Sequence, residues 1–328
     1  MNIEYDIAIR TVGRGGEKYE KLLDSILKLN PQPQNVFVVL PKGVQPPKEQ
    51  KGFETFVYVE KGMMSQRALA VEYIESPFAL FCDDDLSFES DFIAKLYKAI
   101  SNQGYDIVTG ELLELLPPKN CLKQLYGMIL ASAYPAIFNK KRFVKILRSS
   151  GWTYNRYVPK EGVVLPTQSA AGALFFTKKE CLEKLNLLEE IKWAQHGTLA
   201  PAEDQITYYK AHKLGFKVGV VTDAHFNHLD AKSSTASHDA IKNKQYWSGF
   251  NRGVFWHRFI YSTEKNTFGK TLAVIAFTYY KIAHYIDSIV WKLLSPKKNQ
   301  FSSYYLKGLK DAKRYTKSNE YKSLEKIQ

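Results

Sequence analysis

The stretch FALFCDDDLSF, residues 78–88, decides the fold that this sequence predicts. Its apolar run, Phe78–Cys82, predicts a buried strand, and three consecutive aspartates follow the run directly. Because Asp83, Asp84 and Asp85 repel one another, a cluster in this position calls for something positive beside it. A metal ion, a basic partner and plain solvent are the three candidates.

Before the aspartates, short apolar runs typical of strands alternate with segments in which apolar residues recur every three or four residues, as in helices. Strands are predicted at residues 5–11, 35–40 and 55–59, and helices at 17–29 and 65–75. Strand, helix and strand repeated in this way imply right-handed crossovers and a mostly parallel α/β sheet flanked by helices on both faces. Ligands of such sheets bind at the carboxyl ends of the strands, where the three aspartates stand.

Alternating elements also follow the aspartates. They are a helix over 91–101 with Ser90 as its N-cap and Gly104 at its end, a strand within 168–177, a helix over 201–214 and a strand over 216–221. The alternation therefore continues past the aspartates.

The aspartates can be interpreted in two ways. As a DxD arrangement, Asp83 and Asp85 can hold Mg²⁺ or Mn²⁺, which proteins typically bind through one or two carboxylates while substrate phosphates complete the shell. As a structural feature, the cluster can sit at the start of the helix over 91–101, where the helix dipole stabilises acids.

Composition narrows the class of protein. The 328 residues are 45% hydrophobic, which is enough for one large domain or two small ones with a real core. The three cysteines are widely spaced and form no CxxC motif, so we expect reduced thiols rather than disulfides or a zinc site. The N-terminus lacks the basic and then apolar layout of a signal peptide, and we expect a cytoplasmic protein.

The net charge of +13 calls for an anionic partner such as nucleic acid, an anionic membrane surface or a phosphorylated substrate. Residues 295–328 hold nine Lys and Arg against three Asp and Glu, and they follow an apolar, aromatic stretch at 271–294. Lys281, His284 and Asp287 interrupt that stretch at one-turn intervals, which favours an amphipathic helix over a spanning one. Such a helix either packs on its own domain or lies in a membrane interface.

Two further segments carry candidate catalytic groups. APAEDQI places Glu203 and Asp204 in the first turn of a predicted helix, where the dipole favours acids and where a carboxylate can also act as a general base. HFNHLDAKSS follows a predicted strand, so His225 or His228 can face the same cleft, although a single histidine is more often a packed or surface residue.

The ordered set of these segments resembles the family 2 glycosyltransferases of the GT-A (Rossmann-like) fold. GMMSQRALAVEYIESPFALFCDDDLSF has the layout of that family, in which a Gly and an Arg begin a helix and the following strand ends in DxD. QSAAGALFFTKKECLEKL, AEDQITYYKAHKLGFKVGVV and DAHFNHLDAKSS are similar to its later strand, its ED-containing helix and its His followed shortly by Ser. The resemblance covers residues 5 to about 235 and implies a GT-A domain at 1–240, with a helical, basic and aromatic extension at 241–328 that can associate with a membrane.

The resemblance implies a role for each matching position. Asp83, Asp85 and His228 would hold the metal, Mn²⁺ or Mg²⁺. Asp204 would be the general base that deprotonates the acceptor hydroxyl, with Glu203 beside it as a second catalytic residue. The donor-binding residues would be Arg10, Thr11, Arg67, Asp83 and Asp84.

One position departs from the family pattern. The family usually has an acid after its second strand, close to the nucleotide base, whereas this sequence runs into LPKGV with Lys42. The identity of the base therefore stays open.

These features predict a metal-dependent, inverting glycosyltransferase that moves a sugar from a nucleotide-sugar donor to a glycan or lipid-linked acceptor. Cell-surface polysaccharide synthesis, on the cytoplasmic face of the membrane, is the pathway that the resemblance implies. A nucleotidyltransferase is the alternative, because TVGRGG, residues 11–16, partly matches a glycine-rich phosphate loop. A basic nucleic-acid-binding protein without enzymatic activity is a third hypothesis, suggested by the net charge alone. We rank it below the other two and expect no nucleic-acid partner, because the excess charge lies at the chain end and no RNP, zinc-finger or helix-turn-helix signature appears.

Overall fold

The computed structural model describes residues 3–111, 121–135, 142–154, 162–229, 237–294 and 302–327. The chain forms two compact units. The first comprises residues 1–116, 158–198 and 203–233, and the second comprises 117–157, 199–202 and 234–328. The second unit thus includes residues 117–157 as well as those after the predicted boundary at 240.

The first unit is built on a nine-stranded sheet, and the second contains a small three-stranded one. The strands of the first unit are β1 (Tyr5–Arg10), β2 (Asn35–Pro41), β3 (Glu54–Val59), β4 (Phe78–Asp83), β5 (Leu86–Phe88), β6 (Ile107–Glu111), β10 (Val164–Pro166), β11 (Leu174–Lys178) and β12 (Val218–His228); those of the second are β7 (Ala133–Pro135), β8 (Val144–Ile146) and β9 (Trp152–Tyr154).

The helices of the described residues, numbered along the chain, belong to both units. They are α1 (Glu17–Leu27), α2 (Met63–Ala70), α3 (Phe92–Gln103), α4 (Cys121–Ile129), α5 (Lys179–Leu185), α6 (Leu187–Ala194), α7 (Glu203–Lys213), α8 (His238–Phe255), α9 (Thr267–Leu294), α10 (Ser302–Tyr315) and α11 (Asn319–Lys322). A 3-10 turn, Val71–Tyr73, follows α2, and a π-helical stretch, Trp256–Tyr261, follows α8.

The large sheet runs in the order β10-β12-β6-β11-β4-β1-β2-β3, and β5 pairs with the end of β12. The neighbours β4, β1, β2 and β3 are all parallel, as the alternating sequence predicts. In contrast, β11 is antiparallel to both β4 and β6. The α/β class, with a central sheet, flanking helices and a helical C-terminus, is confirmed.

Residue alternation along the strands covers both faces of the sheet. Leu80 and Cys82 of β4 belong to the large apolar core that includes the buried faces of α1 and α3. Phe81 points to the opposite face, where its ring stacks on Phe175 of β11, and Phe175 in turn contacts Tyr208 of α7 edge-on. Because both faces of the sheet are covered, β4 runs between two packed layers. Its last side chain, the carboxylate of Asp83, lies at the carboxyl end of the strand.

Two local predictions differ from the structure. The helix after the aspartates begins at Phe92 with Asp91 as its N-cap, so the prediction of Ser90 as the cap is wrong. Its C-cap is Gly104 with φ of 68°, a left-handed conformation that glycine adopts without strain, as predicted. The strand predicted at 216–221 runs on to His228, because β5 offers its far half a pairing partner.

The second unit is helical around an aromatic core. Phe277 and Tyr280 of α9 pack against Leu309 of α10, and Trp256 stacks on Phe277 with ring centroids 4.2 Å apart. Glycines on α8 and α10 let the two helices approach closely, since a Cβ at Gly253 would lie 2.6 Å from the Cβ of Ala312. Of the helices in the described residues, none is both long and apolar enough to cross a membrane.

Candidate active site

The three aspartates lie in a turn between two strands. Asp83 is the last residue of β4, Asp84 and Asp85 follow it, and β5 begins at Leu86. The Asp83 N–H donates to the carbonyl of Ala173, 2.9 Å away, and the Asp85 carbonyl accepts from the N–H of Leu229. The cluster is therefore held by the sheet rather than by the start of α3, and all three side chains are half-buried.

Two arginines join Asp83 to Glu203 at the start of α7. The Asp83 Oδ1 atom lies 2.7 Å from Arg10 Nη2 and 3.0 Å from Arg67 Nη2. Both guanidinium groups also bond to the Glu203 carboxylate, with Arg10 Nη1 2.9 Å from its Oε2 atom. Arg67 is 3% and Glu203 5% exposed, so this is a largely buried network of two positive and two negative charges.

The network changes what Asp83 and Glu203 can do. Two guanidinium groups contact the Oδ1 atom of Asp83, which lowers the affinity of that oxygen for a cation, and the metal role of Asp83 stays a prediction. Both oxygens of Glu203 are likewise engaged, one by Arg67 and Arg10 and the other by Arg10. Glu203 thus supports the arginines, and its geometry does not present a free base.

Asp84 is bound to the end of β1. Its Oδ2 atom accepts a hydrogen bond from the Thr11 hydroxyl, whose oxygen also accepts from the Gly13 N–H at 3.0 Å. Burial raises the pKa of the Asp84 carboxyl, and the neighbouring aspartates add to the increase while the Thr11 hydrogen bond opposes it. Gln66 completes this corner by donating to the carbonyls of Thr11, at 2.7 Å, and Val39, at 2.9 Å.

Asp85 faces His228 across the β5–β12 pair. Its Oδ1 atom lies 3.2 Å from His228 Nε2, and the two side chains are 17% and 23% exposed. His225 is on the same strand but exposed, so His228 is the histidine of the two that lies beside the aspartates. A cavity of about 180 Å³ opens here, lined by Arg10, Thr11, Val12, Met63, Gln66, Asp83, Asp84, Asp85 and His228.

The donor set at this cavity fits a divalent cation that a substrate also binds. In the part of the chain that the structure describes, no group of three or more His, Cys, Asp or Glu side chains is arranged to hold a metal alone. Asp85 and His228 could offer one oxygen and one nitrogen ligand, a pair that suits Mn²⁺ better than Mg²⁺. The cavity is smaller than the ~300–1,000 Å³ of a typical ligand pocket, so it matches a charged part of a substrate rather than a whole nucleotide-sugar.

Asp204 differs from its neighbour Glu203 in environment. Its Oδ1 atom accepts from the Gln205 N–H at 2.8 Å, and among the described residues no side chain hydrogen-bonds to it. Burial, with a smaller contribution from Glu203, raises the pKa of Asp204 to about 6, although Arg67 acts in the opposite direction. A half-buried carboxylate with a raised pKa and a free oxygen has the properties of a general base.

Gly172 connects Asp204 to the arginine network. Its carbonyl accepts a hydrogen bond from Arg67 Nη2, and a Cβ at this position would lie 2.9 Å from the Cβ of Asp204. Neither Gly172 nor Gln66 is among the site residues that the sequence predicts. The run of small residues around Gly172 signals a close approach, whereas no pattern distinguishes Gln66 from other polar helix residues.

The glycine-rich segment after β1 does not form an open phosphate loop. The Glu49 carboxylate accepts a hydrogen bond from the Gly16 N–H at the start of α1, and this bond lowers the pKa of Glu49. The first turn of α1 also carries Glu17 and Glu20, whose charges would repel a phosphate. Lys42, at the position where the family has an acid, pairs with Glu60 at 2.8 Å.

Comparisons with known proteins identify the fold. No protein-family profile and no curated protein sequence matches this chain. The crystal structure of GalNAc-T7 with UDP, GalNAc and Mn²⁺ matches with a TM-score of 0.52 and 11% identity, covering 89% of this chain. The chain has the GT-A fold. It spans 58% of the length of the GalNAc-T7 chain.

The crystal structures of TarS 1-349 from S. aureus are also similar. The complex with UDP-GlcNAc has 14% identity and a TM-score of 0.43, and the structure without it has 13% identity and a TM-score of 0.44. In both comparisons the alignment covers 95% of this chain and 92% of TarS 1-349.

Proposed function

We propose that this protein is a glycosyltransferase of family 2 that transfers a sugar from a nucleotide-sugar donor to a glycan or lipid-linked glycan acceptor. The observation that carries the proposal is the pairing of Asp85 with His228 at the carboxyl end of β4. In a GT-A fold this edge of the sheet is where a ligand is expected, and the groups present suit a diphosphate and its counter-ion.

Several residues of the site suit the donor. Asp85 and His228 would hold a divalent metal, which supplies positive charge to the diphosphate as the bond to the sugar breaks. Thr11 and Asp84, hydrogen-bonded to each other, offer polar groups on the wall of the same cavity. Arg10 and Arg67 hold Asp83 in place, so Asp83 is available for hydrogen bonds to the donor through its remaining oxygen.

Asp204 is the proposed general base. A pKa of about 6 keeps most of its carboxylate ionised at pH 7 and makes it a stronger base than an ordinary aspartate. It would accept the proton of the acceptor hydroxyl as that oxygen attacks the sugar. A single displacement with one base inverts the configuration at the anomeric carbon, and we propose inversion for this reason.

The test is release of nucleoside diphosphate from a panel of nucleotide-sugars with Mn²⁺ or Mg²⁺, repeated with EDTA and with Asp85→Ala. We expect metal-dependent release from one donor, lost in the variant. Asp91→Ala is the matched control, because Asp91 is an exposed acid of the same region that pairs only with Lys95 among the described residues. Release of pyrophosphate when the panel is replaced by nucleoside triphosphates with a sugar 1-phosphate would instead indicate nucleotidyl transfer. Equal release of nucleoside diphosphate by Asp85→Ala and the unaltered protein would contradict the site assignment.

A further inference from the structure

The longest helix of the second unit exposes a continuous apolar stripe. Only four residues of α9 are buried: Gly269, Ala273, Phe277 and Tyr280. Large apolar side chains that are 42–78% exposed cover the opposite side; they are Phe268, Ile275, Tyr279, Ile282, Ile286, Ile289, Val290 and Leu293. None of these residues is charged, so the stripe runs the length of the helix without interruption.

Helix α4 widens this stripe. The Trp291 Nε1–H donates to the Tyr126 hydroxyl at 2.8 Å, and Tyr126 in turn donates to Asp287. The Tyr279 hydroxyl donates to the Ile129 carbonyl at 2.6 Å, which holds α4 beside α9. Four further apolar side chains of α4 are 41–78% exposed: Leu122, Leu125, Met128 and Ile129. The α4–α9 face is thus a two-helix apolar surface of a size that soluble proteins rarely leave uncovered.

A basic groove runs along one side of α9. Its volume is about 810 Å³, and Trp256 and Phe277 stack among its lining side chains. Four lysines line it, Lys281, Lys310, Lys313 and Lys317, and no Asp or Glu is among the lining residues. In the described part of the chain none of the four forms an ion pair. Burial, together with the charge of Lys313, lowers the pKa of Lys281, which an anion bound between them would reverse.

We propose that the α4–α9 face lies in the interface of an anionic lipid bilayer and that the lysine groove beside it receives lipid phosphate groups. An in-plane amphipathic helix buries apolar side chains at the boundary between headgroups and acyl chains, and lysines next to it contact anionic headgroups. Tyrosine and tryptophan, here Tyr279, Tyr285 and Trp291, are the aromatic residues enriched at that boundary.

A second copy of the chain fits this face less well. From Ile275 to Leu293 the apolar residues recur at alternating intervals of four and three, the spacing of a coiled-coil seam. However, the flanking positions are Ala276, Ala283 and Val290 on one side and Thr278, Tyr285 and Lys292 on the other, which include no acid to pair with the lysine. The α4 residues also make the surface too wide for a seam. A second copy packed on the same face would also bring its own four groove lysines near those of the first.

The experiment is co-sedimentation of the full chain with vesicles of phosphatidylcholine alone and of phosphatidylcholine with 30% phosphatidylglycerol. We expect binding to the anionic vesicles that weakens as salt is raised. Ile282→Glu with Ile286→Glu, and separately Lys281→Gln with Lys313→Gln, should each reduce the partition coefficient at least tenfold. Since all four side chains lie at the surface or beside the groove, the variants should fold, which circular dichroism would check.

Control variants and added glycerol 3-phosphate distinguish the bilayer from the two alternative ligands of this face, a soluble phosphate and a second copy of the chain. Leu27→Glu, at an exposed leucine of the first unit, and Lys28→Gln with Lys48→Gln should bind vesicles as the unaltered chain does. Glycerol 3-phosphate added to the free protein tests a soluble phosphate ligand, and calorimetry should show no saturable binding of it. Saturable binding of glycerol 3-phosphate without vesicle binding, absence of vesicle binding altogether, or a dimer that Ile282→Glu with Ile286→Glu converts to monomer would each overturn the proposal. Vesicle binding is measured without a sugar donor, so the outcome is independent of the proposed transfer reaction.

Discussion

Arg67 of α2 and Glu203 of α7 form a buried ion pair, and the same arginine bonds to Asp83 at the end of β4. The pair thus connects a helix on each side of the candidate site to the strand that carries the aspartates. The pair fixes the relative positions of α2, α7 and the end of β4. It adds little net stability, because the desolvation cost of the buried charges offsets much of their attraction.

Replacing Arg67 should destabilise the fold more than removing a surface charge. Arg67→Ala leaves Glu203 buried with only Arg10 as a partner, and we expect a loss of ~3–5 kcal/mol in the free energy of unfolding. Lys95→Ala, which breaks an exposed pair with Asp91, should cost ~1 kcal/mol or less. Urea unfolding of both variants measures the difference, and equal losses would show that the buried network contributes nothing specific.

Asp204→Asn should separate catalysis from donor binding. The amide keeps the oxygen that accepts from the Gln205 N–H, but it cannot take a proton from an acceptor. We expect the transfer rate to fall ~10²–10⁴-fold while donor affinity stays within about threefold. Initial rates and calorimetric donor binding give the two quantities. A variant with normal transfer would exclude Asp204 as the base.

The pH dependence follows from the raised pKa of Asp204. The base must be ionised, so the transfer rate should fall about tenfold per pH unit below the pKa of about 6 and level off above it. A rate profile between pH 4.5 and 8 measures the midpoint. A midpoint near 4, the ordinary range for aspartate, would contradict the buried environment seen at this carboxyl.

The same pKa predicts a stability effect of opposite sign. The folded protein binds this proton more tightly than the unfolded chain between the ordinary aspartate pKa of 3.8 and the folded-state pKa of about 6, so stability falls as pH rises through that window. Asp204→Asn removes the cost of ionisation and should raise the free energy of unfolding by ~1–2 kcal/mol at pH 7, after allowance for partial exposure. At pH 4 the difference should vanish, which urea unfolding at both pH values would test.

His228 should control metal affinity, and His225 should not. Both lie on β12, but only His228 contacts an aspartate, with Nε2 3.2 Å from Asp85. His228→Ala should raise the Mn²⁺ concentration for half-maximal activity at least tenfold, whereas His225→Ala should leave it unchanged. Titration of donor hydrolysis with Mn²⁺ provides the measurement. The same shift in both variants would indicate a general effect on the strand.

The helices and strands of the first unit are predicted well where the spacing of apolar residues along the chain determines them. Leu22, Leu23 and Ile26 recur at helical spacing, and the apolar run before Asp83 is buried in the sheet as its composition requires. The parallel order of β4, β1 and β2 follows from crossover connections of sufficient length. In contrast, the antiparallel β11 cannot be read from its own residues, since direction depends on the path of the preceding chain.

The chemistry of the site is predicted by residue type but not by partner. Nothing local to Asp83 indicates that Arg10 and Arg67 would neutralise it, because the three residues come from different elements. For the same reason the difference between Glu203 and Asp204 is invisible in the sequence, where both occupy the first turn of one helix. Their side chains point to different surroundings, and only the packing of α7 on the sheet decides which carboxylate stays free.

Gly172→Ala tests how closely the base must be placed. A Cβ at this position would lie 2.9 Å from the Cβ of Asp204 and 3.5 Å from Arg67 Nη1, so Asp204 has to move. A displacement of a few tenths of an ångström should lower kcat ~10–100-fold with little change in the KM for the donor. Gly52→Ala is the control for a loss of stability without a displaced side chain. The φ angle of 88° strains an alanine backbone there, but its Cβ would meet no atom within 4 Å. That variant should lose stability but keep kcat, and a similar fall in kcat in both variants would attribute the effect to destabilisation rather than to the position of Asp204.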